Sequence, residues 1–175
     1  SRRRNRLNGV MEKAPDGTLR VQTRQTFGNC PQYISQRDWV PAPTARPAPF
    51  VTEAASLTSE HRQWIANADT FFIGSGYETP TATNASGMDA SHRGGPKGFV
   101  QVVDQNTLVF PDYAGNNHFN TIGNLVVDPR VGILFVDFER GDLLQITGRA
   151  EIDWEPGSDS GFPRMSLVGF VVEEN

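Results

Sequence analysis

The side chains best placed for chemistry lie between Ala90 and Phe138. A basic, glycine-bearing run, Ser91, His92, Arg93, Gly94, Gly95 and Lys97, stands one hairpin away from a polar segment running from Asp112 to Asn124. An anion held between the two can draw donors from both, which suits a phosphate-bearing ligand better than a metal or a nucleophile. Three histidines and one cysteine, scattered along the chain, do not form a structural zinc set. His92 and His118 have no carboxylate predictably set against them, so polar packing competes with acid–base work for both. Arg93 on a half-exposed strand has the competing reading of a surface ion pair worth under about 1 kcal/mol. Cys30 sits in a polar turn with nothing nearby in sequence to depress a thiol pKa. Gly74-Ser75-Gly76 lacks the third glycine and the following helix of a dinucleotide fingerprint.

The elements that must position these residues read as short strands. Arg2 to Val10 is expected as a strand, Ala14 to Gly17 as a turn, and Leu19 to Phe27 alternates apolar and polar residues in strand fashion. Gly28 to Pro31 breaks that strand. Residues 40–50, VPAPTARPAPF, form a Pro/Ala linker and the best boundary in the chain. A short helix follows, capped by Thr58 or Ser59, with Trp64 and Ile65 on its apolar face. Strands are expected over 69–77, 90–93, 98–103 and 107–110, with a Thr- and Gly-rich loop over 78–90 and a tight turn at Asp104 to Asn106. Phe119, Ile122 and Leu125 give helical spacing near 117–127, and Asp128-Pro129 stops it. Val131 to Phe138, Leu143 to Trp154 and Leu167 to Glu173 complete a pattern that predicts a small, mainly β barrel.

Bulk composition agrees. The chain has 175 residues, enough for one domain with a core, and 17 glycines and 12 prolines favour turns over a helical bundle. Lys and Arg number 16 against 20 Asp and Glu, which argues against wholesale binding to nucleic acid or to an acidic membrane. The run Arg2-Arg3-Arg4-Asn5-Arg6 has no matching basic and aromatic surface elsewhere, so it reads as a solvated or interface strand. No apolar run is long enough to cross a bilayer as a helix. A lone cysteine fits a reducing cytoplasm.

The order strand, SHRGG, hairpin, FPDY-x-GN, short helix, GNL-x-x-DPR-x-G-x-LF-x-DF, then L-x-x-x-G-x-A resembles the pyridoxamine 5′-phosphate oxidase-like family of FMN-binding split barrels. The resemblance covers about residues 57–155. It is nearer to an uncharacterised flavin-nucleotide-binding branch than to the vitamin B6 enzyme. RRRNRLNG and FGNCPQYI resemble the end of a preceding unit in two-barrel members. The implied organisation is therefore residues 1–39 as the tail of that unit, 40–50 as linker, and 51–175 as a Greek-key, six-stranded split barrel that binds FMN.

The resemblance implies a homodimer holding FMN at its interface, with the phosphate between the basic strand and the helix-bearing loop. Arg93 becomes the first candidate for the phosphate, because its planar fork can bind it in bidentate fashion. Ser91, His92 and Lys97 are supporting candidates. Gly94 and Gly95 would let the backbone approach the flavin ring. Pro111 and Asp112 fall at the family's strand-end contacts, and Asn116 and Asn117 in its phosphate loop. Thr121 and Asn124 lie on the helix, whose first N–H groups favour an anion. GNNHFN carries Asn and His where the B6 enzymes carry Arg and Lys, and no Arg/His cluster for a B6 substrate appears near the C-terminus. The implied activity is two-electron reduction of a small acceptor, with electrons from a reduced nicotinamide or a partner reductase. The competing implication is a non-catalytic sensing or dimerisation barrel, or a haem-binding relative.

Overall fold

A computed structural model describes residues 4–28, 30–38, 40–41, 48, 50–79, 86–115, 117–154 and 164–174. Asn116 and most of the Pro/Ala linker lie outside them. Among the described residues, ten strands and two helices follow one another. A two-stranded antiparallel sheet comes first, β1 (Asn5–Lys13) and β2 (Leu19–Gly28). The turn between them closes through Gly17, whose φ of 83° suits glycine. β1 runs on through Asn8-Gly9 and past Val10, where the strand was expected to end. Arg24 is left without a partner opposite, and the resulting bulge absorbs the glycine without stopping the ladder.

The main sheet is built from β4 (Thr70–Tyr77), β5 (Gly87–Gly94), β7 (Thr107–Pro111), β8 (Arg130–Val136), β9 (Leu143–Asp153) and β10 (Arg164–Glu174). These six strands form the wall expected of the barrel. Two short strands, β3 (Val51–Ala54) and β6 (Gln101–Val102), add to it. The hydrogen-bonded order is β5-β4-β8-β9-β10-β7-β6, with β3 also on β10. β5 therefore ends the sheet on one side, and β7 lies one two-residue strand from the other end. The wall curls until these remote strands face each other across a seam.

Phe71 on β4 holds the curl. It is fully buried. Its ring lies 4.9 Å from Phe110 of β7, 5.5 Å from Phe135 of β8 and 5.7 Å from Phe99, which precedes β6. Aromatic rings at such spacings add packing specificity to their buried area. Ile65, Ile73, Leu108, Leu144 and Ile146 complete the same core. Of the four phenylalanines expected in the core, Phe71, Phe110 and Phe135 meet in this cluster, whereas Phe72 points to the other face of β4, is only half-buried and lies against His92.

Helix α1 (Ser59–Asn67) starts at Thr58, whose hydroxyl accepts from the His61 N–H while His61 Nδ1 accepts from the Thr58 N–H. This reciprocal box is the reason the helix begins there. Helix α2 (Asn120–Val127) starts later than its apolar spacing suggested. Phe119 adopts φ 42°, in the left-handed region, and its side chain is exposed rather than part of the buried stripe of Ile122 and Leu125. Among the described residues no helix is long and apolar enough to cross a membrane.

Phe71→Ala should cost about 3–5 kcal/mol, because three rings lose their common partner and a cavity remains. Equilibrium denaturation in urea measures this; a loss below about 1 kcal/mol would mean the aromatic cluster does not hold the seam.

Candidate functional site

A cavity of about 380 Å³ opens at the seam. β5 supplies Ser91, His92, Arg93 and Gly94 to its wall, the end of β7 supplies Pro111 and Asp112, and the following loop with the start of α2 supplies Asn117, Asn120, Thr121 and Ile122. The two segments singled out by their chemistry are therefore brought together.

Arg93 and Asp112 face each other across the seam, Nη2 to Oδ1 at 3.2 Å, with side chains 25% and 15% exposed. Burial lowers the Arg93 guanidinium from its ordinary value while Asp112 and then Asp89 oppose the shift; it stays charged at any physiological pH. Burial also pushes the Asp112 carboxyl above the usual carboxylate value, against the pull of Arg93. The Arg93 Nε is buried and has no hydrogen-bond partner among the described residues. An orphaned charged donor is costly inside a protein, so a site that keeps one is poised to meet an acceptor. Burial first, then the charges of Arg4 and Arg93, depress the His92 imidazole below its ordinary value, with Asp69 opposing. His92 is thus a neutral ring at physiological pH, edge-on to Phe72 at 5.8 Å.

α2 presents its first turn to the same cavity. No side chain caps it, because Phe119 occupies the cap position and carries no acceptor. Thr121 is 2% exposed and donates to Asp89 Oδ2 at 3.0 Å. Ser91 Oγ donates to the same oxygen at 2.9 Å.

Described residues between Arg6 and Arg37 contribute an unexpected wall. Arg6 of β1 donates from Nη1 to Asp89 Oδ1 at 2.6 Å and from Nη2 to Ser91 Oγ at 2.7 Å. Its guanidinium lies 5.2 Å from the Phe27 ring centre, and Phe27 stacks on His118 at 5.7 Å. Tyr33 stacks on Tyr113 at 5.2 Å and donates its hydroxyl hydrogen to the Ala114 carbonyl at 3.1 Å. Arg37 pairs with Asp69 and lies 3.9 Å over the Phe138 ring. The segment is therefore fastened to both sides of the cavity, which Arg6, Phe27, Cys30, Tyr33 and Ile34 also line. Sequence reasoning missed Arg6, Phe27 and Tyr33 as site residues. Their only local signal was the clustering of aromatic and basic residues around the strand pair.

Other candidates fall elsewhere. Lys97 lies in a separate polar groove with Arg37, Trp64 and Asp137. A turn closed by Phe99 N–H on the Pro96 carbonyl, with Gly98 at φ 83°, stands where a strand was expected and carries Lys97 away from the cavity. Asn124 donates to Ser75 Oγ at 3.2 Å and so ties α2 to β4 instead of lining the cavity. The space left by the glycines is used by the protein itself. A Cβ on Gly94 would collide with the Tyr33 carbonyl, and one on Gly95 would lie 2.6 Å from the Phe99 ring. Cys30 is exposed. No group of three or more His, Cys, Asp or Glu able to hold a metal occurs among the described residues.

A curled, mainly β wall with two short helices and a cavity at its open seam defines a split barrel. The chain belongs to the pyridoxamine 5′-phosphate oxidase family, whose model matches residues 57–174. Among solved structures it is similar to a putative pyridoxamine 5′-phosphate oxidase from Lactobacillus delbrueckii, with 12% identity, a TM-score of 0.50, and coverage of 68% of this chain and 94% of that one. HupZ from Group A Streptococcus gives 15% identity, a TM-score of 0.47 and coverage of 66% and 91%. A FAD-binding protein from Mesorhizobium loti gives 12%, 0.42, and 71% and 98%. No curated protein matches the chain.

Arg6→Ala should destabilise the protein by about 3 kcal/mol, since Asp89 is only 7% exposed on its side chain and would lose its counter-charge. The first hairpin should also lose protection. Hydrogen exchange of β1 and β2 amides reads this directly, and unchanged protection would show that Arg6 does not hold the hairpin on the barrel.

Proposed function

We propose that this protein is a flavin-nucleotide-binding member of its family, that the nucleotide is FMN, and that it serves as a flavin-dependent oxidoreductase. The observation that carries the reading is the buried, unpartnered Nε of Arg93 in a cavity that also receives the uncapped first turn of α2. A guanidinium with a free edge beside a helix N-terminus is suited to a phosphate. The cavity's size is in the range of cofactor pockets, and Phe27, Tyr33, Tyr113 and Trp154 give the rest of its lining the flat apolar character an aromatic ring system needs. Family membership supports the same reading.

When bound, the flavin would supply the two-electron chemistry, passing electrons from a reduced nicotinamide or a partner reductase to a small acceptor. The chain's own residues bind and orient. Arg93, Asn117 and the first turn of α2 take the phosphate, while Ser91 and Thr121, held by Asp89, fix the strand and helix on which those donors sit. The neutral His92 ring packs against Phe72 at the cavity wall and adds no charge. We place no catalytic acid among these residues.

The reading includes a homodimer. Leu7, Met11, Leu19 and Val21 lie on one exposed face of the first hairpin, and a two-stranded sheet with such a face gains stability when the face is covered.

The purified protein should carry flavin absorbance or bind FMN stoichiometrically on titration. Arg93→Ala should weaken binding about 10- to 100-fold, the equivalent of losing a charge-assisted hydrogen bond. A folded but colourless protein that fails to bind FMN, or one with a haem Soret band, would overturn the reading in favour of a scaffold or a haem site respectively.

A further inference from the structure

We propose that Asp112 is a built-in stand-in for the ligand's anionic group: a phosphate reaching Arg93 displaces the Asp112 carboxylate, which takes up a proton as it leaves the ion pair. This rests on the flavin-nucleotide reading above and adds to it how the cation is handed over and what the exchange does to pH dependence.

The geometry gives the carboxylate an incomplete hold. Asp112 meets Arg93 through a single Nη2–Oδ1 approach of 3.2 Å, while Nε on the same fork has no partner. A carboxylate that engaged the fork fully would use two parallel N–H groups. Asp112 follows directly on Pro111, the last residue of β7, and β7 pairs with β10 there, so the backbone is held and the carboxylate reaches Arg93 from one side. A mobile phosphate has no such tether.

Charge makes the exchange depend on a proton. The buried groups of the cavity form two pairs, Arg93 with Asp112 and Arg6 with Asp89, so their formal charges cancel. Arg6 is committed, with one Nη on Asp89 and the other on Ser91. An incoming phosphate therefore has Arg93 as its available guanidinium, and it would leave Asp112 as a second anion in the same enclosed space. Neutralising that carboxyl costs less than keeping it charged and unpaired. Its burial already favours the protonated form. The titratable and charged groups that line the cavity with it are Arg93 and His92 from β5, Arg6 from β1, Cys30 and Tyr33 after β2, Tyr113 beside it and His118 ahead of α2, and Asp89 lies behind them on Arg6. Of these, His92 is held neutral and the Arg6 guanidinium is already engaged by Asp89 and Ser91.

The sign follows from linkage. The complex holds Asp112 protonated to a higher pH than the free protein does, so between those two titrations the complex carries more protons. FMN affinity then falls as pH rises, by up to about tenfold per pH unit. The phosphate's own second ionisation, near pH 6, works in the opposite direction.

The test is calorimetric titration of the full chain with FMN between about pH 6 and pH 8, in two buffers of different ionisation enthalpy, for the wild type and Asp112→Asn. The wild type should take up as much as one proton per FMN bound. Asp112→Asn should bind FMN about tenfold or more tightly at pH 8 and lose the uptake. Equal or weaker binding by the variant, or wild-type binding with no proton uptake, overturns the exchange and leaves the flavin reading standing. Failure of both folded proteins to bind FMN overturns that reading and the exchange with it. If Asp112→Asn does not fold, the wild-type proton count decides alone.

Discussion

A guanidinium on one end of a sheet and a carboxylate near the other end must find each other here. Neither Arg93 nor Asp112 can stay charged in a buried seam without a partner. Their strands are far apart in the sheet order, so the pair forms only if the wall curls fully. The curl in turn depends on Phe71 reaching Phe110 and Phe135 at once. Core packing, barrel closure and the charge of the cavity are thus one constraint seen at three places. The seam stays open because β5 and β7 share no ladder, and it is this lack of backbone pairing that leaves room for a ligand.

Described residues between Arg6 and Arg37 then close what the barrel leaves open. Arg6 holds Asp89, and Asp89 collects Ser91 and Thr121. One buried carboxylate therefore joins β1, β5 and α2 at the cavity wall. Such a network is stable only when every member is satisfied, which makes it a positioning device as much as a source of stability. Tyr33 and Phe27 do the same with rings, each stacked on a residue of the loop between β7 and α2. We propose that this segment remains a unit separate from the barrel in sequence while serving the barrel's site in space.

Local signals were readable wherever the cause was local. The Thr58 cap, the Gly17 turn and the Asp128-Pro129 stop each rest on the conformational preference of one or two residues. The basic run on β5 and the polar run after β7 were readable because their chemistry is carried by residue type. What was not readable came from distance or from backbone sign. Arg6 meets Asp89 across 83 positions of chain, and no pattern in either segment announces the other. Phe119 fits a helical stripe by spacing, yet its left-handed backbone makes it the cap, and the helix begins one residue later at Asn120. Lys97 looks like a neighbour of Arg93 until a four-residue turn carries it to the other groove. Gly94 looks like room for a cofactor, but the Tyr33 carbonyl fills that room.

We propose that the seam recognises a phosphate attached to a flavin. The most direct measurement is a parallel equilibrium titration of the protein with FMN and with riboflavin, which differ by that phosphate. FMN should bind at least about tenfold more tightly, since Arg93 and the first turn of α2 act on the phosphate alone. Equal affinity for the two would contradict it, because the charged end of the cavity would then contribute nothing to recognition.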